Sequence, residues 1–159
     1  MDTMTDDPHS CVNPDCVVPL SRLDMEAATR VSLPVLVSAP RECALRLALE
    51  IAMASGAEGA NGVVIVQAAD TTYLQSALSR AATAGRGRHR AVVVQDVDAL
   101  DPDQQRTLKL MIEDIAASGV NACRIIATTS VPLFERVSAG TFDAGLFYRL
   151  NTIHIKRGM

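Results

Sequence analysis

Hydrophobic and polar positions along the chain fall into a regular alternation of two kinds of segment. Five short aliphatic runs recur, at residues 33–38 (LPVLVS), 62–67 (GVVIVQ), 91–96 (AVVVQD), 124–129 (RIIATT) and 152–155 (TIHI). Runs of this length, rich in Val and Ile and bounded by turn-forming residues, predict buried strands. Between them the period lengthens. Residues 43–54, 71–82 and 103–117 place apolar side chains three and four apart, as a helix with one buried face requires. In the last of these Leu108, Met111, Ile112 and Ile115 share a face, and Gly119 is the stop. Shorter helices are expected at 21–30, 133–138 and 146–150. Strand and helix alternating four times, closed by a fifth strand, predict an α/β fold of three layers with a parallel five-stranded sheet.

Composition supports that reading. Hydrophobic residues make up 48% of the 159, yet aromatics are only 3% and Trp is absent, so Ala, Val, Leu and Ile form the core. Such a chain has little with which to stack bases or sugars. The net charge of −3 also argues against a nucleic-acid surface. The single basic run, residues 86–90 (RGRHR), reads as a solvated loop, with an anion or partner contact as the alternative. No run approaches the roughly 18 apolar residues of a membrane span, and the acidic N-terminus does not read as a secretory signal. Cys11, Cys16, Cys43 and Cys123 are accordingly expected as reduced thiols in a cytoplasmic protein.

Residues 1–20 read as a mobile tail, leaving 21–159 as one domain. Within the tail His9, Cys11 and Cys16 have zinc-like spacing, but a closed site needs four ligands and no second pair follows. They are taken as tail side chains, and no metal is expected there.

In parallel α/β sheets ligands bind beyond the C-terminal ends of the strands. Polar clusters lie at three such ends: residues 38–42 (SAPRE), 95–98 (QDVD) and 128–130 (TTS). This is the layout of a P-loop nucleotide triphosphatase. A working phosphate loop needs G-x-x-x-x-G-K-[ST], with glycines for close backbone approach, Lys for phosphate and a hydroxyl for Mg²⁺. Here the turn has no glycine, Pro40 removes a backbone N–H, and Glu42 follows Arg41 where the hydroxyl belongs. At the second strand end Gln95 puts a neutral amide at the metal position. Asp96 and Asp98 read as caps of the next helix near Asp101, with metal capture as the alternative.

The C-terminal half carries a more specific likeness. Residues 140–151 (GTFDAGLFYRLN) resemble the G-x-F-R-x-D-L-Y-Y-R-L-N segment of the AAA+ domain of bacterial sigma-54-dependent transcriptional activators. Residues 124–130 (RIIATTS) resemble that family's R-I-I-A-A-T-N sensor strand. Residues 93–100 are similar to its L-F-L-D-E-I-G-E-L, and 33–48 to its phosphate-loop segment with about four residues deleted. The resemblance implies sheet order 5-1-4-3-2 and ancestry in ring-forming ATPases that remodel RNA polymerase. It also implies losses. Arg41 stands where the family has its phosphate-loop Lys, Gln95 replaces the Mg²⁺-binding Asp, and Asp96 replaces the catalytic Glu. Ser130 replaces the sensor Asn and Asp143 the first of two arginines offered to a neighbour, leaving Arg149. The sigma-contacting G-A-F-T-G-A loop is missing, and no helical lid follows the fifth strand.

Removing these groups together removes most of the electrostatic stabilisation that phosphoryl transfer depends on. The expectation is therefore a degenerate, non-hydrolysing AAA+ domain that regulates transcription through a protein partner, either an activator AAA+ domain or a second copy. No cofactor, direct nucleic-acid contact or membrane contact is expected. The alternative is a nucleotide or anion sensor using the remnants Arg41, Asp96, Asp98, Ser130 and Arg149.

Overall fold

A computed structural model describes residues 20–30, 33–57, 62–83, 90–117 and 123–158. Residues 1–19 of the expected tail, with the His9, Cys11 and Cys16 cluster, and residues 86–89 of the basic run lie outside these residues. Five strands form one sheet: β1 (Val35–Ser38), β2 (Val63–Gln67), β3 (Arg90–Gln95), β4 (Cys123–Thr129) and β5 (Ile153–Lys156). All pairs are parallel and their spatial order is β2-β3-β4-β1-β5, the order the resemblance implies. The helices are α1 (Arg22–Arg30), α2 (Arg41–Ala54), α3 (Thr71–Thr83), α4 (Pro102–Ala117), α5 (Leu133–Ser138) and α6 (Ala144–Leu150).

The period of two along each strand divides the core between the sheet's faces. Leu36, Val92, Val94, Ile125 and Ala127 face a layer that includes Leu74 of α3, Leu108 and Ile112 of α4, and Leu146 and Leu150 of α6. Their neighbours Val35, Val37, Ala91, Val93 and Ile126 point the other way, toward Ala28 of α1 and Leu47, Ala48 and Ile51 of α2. Because both faces are covered, the strands read as continuous aliphatic runs rather than alternating ones.

Arg124, at the start of β4, is the one charged side chain in the described core. Its Nη1 donates to the Thr29 carbonyl at 3.4 Å and to Ser55 Oγ at 3.2 Å, tying the ends of α1 and α2 to the sheet. Burial pulls its pKa below the ordinary arginine value. Cys123, beside it, is a buried thiol. Cys43, in the first turn of α2, is disulfide-bonded. The expectation that all four cysteines are reduced therefore fails at this position.

Candidate functional site

The register brings the polar strand ends to one edge. Ser38 is level with Thr129 and with Lys156, and Gln67 with Gln95. The chain leaves β1 through Ala39 and Pro40 and enters α2 at once, with no side-chain cap on its first turn. Arg41, the first residue of α2, reaches across to the end of β3. There its Nη2 donates to Asp96 Oδ2 at 2.5 Å. The guanidinium side is open, with 68% of the Arg41 side chain exposed, whereas Asp96 is mostly covered at 17%.

Asp96 is held from its backbone as well. It is the one non-glycine with positive φ among the described residues (φ 55°, ψ 53°). Aspartate tolerates this left-handed conformation better than most side chains. Its N–H donates to Thr128 Oγ1 at 3.3 Å, so β4 fixes the turn that aims the carboxylate at Arg41. A 3-10 turn, Val97–Ala99, follows.

Asp98 lies in that turn and accepts a hydrogen bond from Thr129 Oγ1 at 2.8 Å. The same hydroxyl oxygen accepts from the Val131 N–H at 3.2 Å, shaping the exit from β4. Ser130 is exposed between them. Neither Asp96 nor Asp98 caps α4, contrary to the sequence expectation. That role falls to Asp101, whose Oδ1 accepts from the Gln104 N–H at 2.8 Å. Gln104 Oε1 in turn accepts from the Asp101 N–H at 2.8 Å, forming a reciprocal capping box. Asp101 stands immediately before Pro102 at the first helical position, where proline is favoured.

Gln95 does not present a free amide oxygen to a cation. Its Oε1 accepts from Gln67 Nε2 at 2.6 Å, and the two amides bridge β2 and β3. On the far side of β1, Ser38 Oγ and His154 Nε2 are 2.8 Å apart, a pairing visible only once β5 is docked. Burial, with a smaller contribution from the Lys156 charge, lowers the His154 pKa.

Arg149 and Asp143 sit apart from this edge, on and before α6. Arg149, on α6, ion-pairs through Nη2 with Glu113 Oε1 of α4 at 2.5 Å. Asp143 caps α6, accepting from the Leu146 N–H at 2.6 Å, and its own N–H donates to Gln105 Oε1 at 2.7 Å. Lys109 Nζ lies 3.4 Å from Asp143 Oδ1. The Leu146 N–H first, and Lys109 after it, hold the Asp143 carboxyl below the usual carboxylate range. Gly145 leaves the room for this: a Cβ there would stand 2.6 Å from Lys109 Nζ. Of the five expected site residues, the structure thus joins Arg41 directly to Asp96 and puts Asp98 beside Thr129. It engages Arg149 with α4 instead.

Residues 24–156 match the sigma-54 interaction domain family. The chain belongs to that family. No curated protein shows a significant match. Among solved structures, NtrX from Brucella abortus in complex with ATP superposes with a TM-score of 0.59 at 18% identity, over 88% of this chain and 38% of that one. The P-loop NTPase domain of the sigma-54 transport activator from E. coli gives 0.58 at 16% identity, over 80% of this chain and 98% of that domain. A DNA polymerase III gamma subunit-related protein from Thermotoga maritima gives 0.56 at 13% identity, over 86% and 46%. At these identities the solved structures bear on fold alone, which is the mixed α/β P-loop NTPase-like architecture. The chain spans little more than a third of the length of NtrX. Among the described residues, no helix is long and apolar enough to cross a membrane.

Proposed function

We infer that this sigma-54 interaction domain does not hydrolyse ATP and acts in transcription regulation through protein–protein contact. The observation that carries the reading is the Arg41–Asp96 ion pair. It joins the position expected to hold phosphate to the position expected to activate water. A polyphosphate entering here would have to part the pair and leave the Asp96 carboxylate facing its own like charge. A Mg²⁺ ion would find Gln95 committed to Gln67 and Asp96 committed to Arg41. The partner is an AAA+ domain, either that of an intact sigma-54 activator or a second copy of this chain. The contact would modulate ring assembly in the cytoplasm, with neither nucleic acid nor a cofactor involved.

Titration calorimetry with ATP–Mg²⁺ tests the reading. No saturable heat is expected at millimolar ligand, and phosphate release should not exceed the protein-free rate. The second reading, a nucleotide or anion sensor, draws on the exposure of Arg41. Saturable ATP binding that disappears in Arg41→Ala would establish that reading and overturn the first.

A further inference from the structure

A guanidinium carries five N–H donors and keeps its charge at any physiological pH. That of Arg124 lies between the sheet and the ends of α1 and α2, and the residue is only 7% exposed. One of its nitrogens is provided for. Nη1 meets the Thr29 carbonyl and Ser55 Oγ. The Ser55 hydroxyl gives its own proton to the Ile51 carbonyl at 2.6 Å, so toward Arg124 it acts as an acceptor. Nε and Nη2, by contrast, are buried without a hydrogen-bond partner among the described residues. Buried polar atoms are nearly always paired, and an unmet charged donor is the costliest exception.

The two unmet atoms share an edge. Nε–H and the adjacent N–H of Nη2 run parallel along one side of the guanidinium, the side that grips two oxygens of a carboxylate or phosphate at once. Water can answer such donors singly, but it leaves the charge unanswered. Thr29 and Ser55 bring a carbonyl and a hydroxyl, both formally neutral. Burial alone moves the Arg124 pKa, with no acidic neighbour among the described residues acting on it. Buried charges in folded proteins are paired. A lysine in this place would release its proton; an arginine does not.

We propose that Arg124 is a buried oxyanion site, whose Nε and Nη2 take two oxygens of one phosphate or carboxylate group. It stands at the start of β4, at the opposite end of the sheet from Arg41 and Asp96. α1 packs on α2 and β5, and its Thr29 carbonyl lies against the guanidinium. The ion enters as this end of α1 lifts and, once bound, holds it to α2 and β4. The site goes beyond the protein-contact reading and uses none of the residues that carry it.

Thermal unfolding of the full chain, followed by circular dichroism, tests the site. Sodium phosphate and sodium acetate are the probes, against sodium chloride of equal ionic strength. Phosphate or acetate should raise the melting temperature saturably, by about 5–10 °C at roughly a hundredfold excess over its dissociation constant. A response to one alone names the group as phosphate or carboxylate. Chloride has no second oxygen to fill the fork and should give no such shift. Arg41→Ala should keep the whole shift, which separates this site from the ATP test above. Arg124→Met should lose it, and Arg124→Lys, charged but without the fork, should keep only part. Hydrogen exchange on the unaltered chain gives a reading that needs no variant. The saturating ion should slow amides at the ends of α1 and α2 and the start of β4 more than those at the start of α2. No shift beyond that of chloride, a shift that survives in Arg124→Met, or slowing confined to the start of α2 overturns the proposal.

Discussion

Asp143 works at the start of a helix. Its exposed carboxylate caps α6 and pairs with Lys109. Loss of such a cap costs about 1 kcal/mol, and asparagine replaces aspartate in it nearly as well. Asp143→Ala should therefore lower stability in urea denaturation at pH 7 by about that amount, and Asp143→Asn by less. The carboxyl is held below its unfolded pKa. Its contribution is present above about pH 3.9 and is lost as the pH falls through the lower folded value. Acid titration of stability should show this loss in the unaltered chain and a shallower one in Asp143→Asn. Some of this was legible in sequence and some was not. The departure at 143 was visible in the motif, but its new role needed the helix start at Ala144, two residues before the expected boundary. The Arg41–Asp96 pair was likewise invisible, because its members lie on different strand ends and only the sheet order brings them together.

At the scale of elements, aliphatic runs placed all five strands and the 3.6-residue period placed the helices, because burial on both sheet faces leaves an unambiguous pattern. The joints between helices followed from no pattern. Gln105 reads in sequence as a polar residue on a helix face, yet it is buried, holding the α5–α6 connection to α4 with two hydrogen bonds and donating a third to the Leu100 carbonyl. Replacing it with Leu would leave the Asp143 N–H and two carbonyls without that partner. An unmet buried group costs about 1–3 kcal/mol. Gln105→Leu should thus lower stability by about 2–3 kcal/mol. It should also increase amide exchange at Asp143 and in α6 more than in α2, a distribution that hydrogen-exchange mass spectrometry resolves.

Over the whole molecule, the polar edge of the sheet and the α5–α6 surface are two different surfaces. The first is closed by the Arg41–Asp96 ion pair and the Gln67–Gln95 amide pair, whereas Phe134 and Tyr148 of the second are exposed. The sheet order that creates them has one more consequence, for synthesis. β1 pairs with β4 and β5, the last two strands, and with neither β2 nor β3. On the ribosome β2 and β3 can therefore align early, while β1 and the helix after it wait for most of the chain to appear. Nascent chains stalled before Cys123 has emerged should be cut readily by protease within Arg41–Ala54, and those stalled with β5 clear of the exit tunnel should resist. β1, the first strand made, thus waits for the last two.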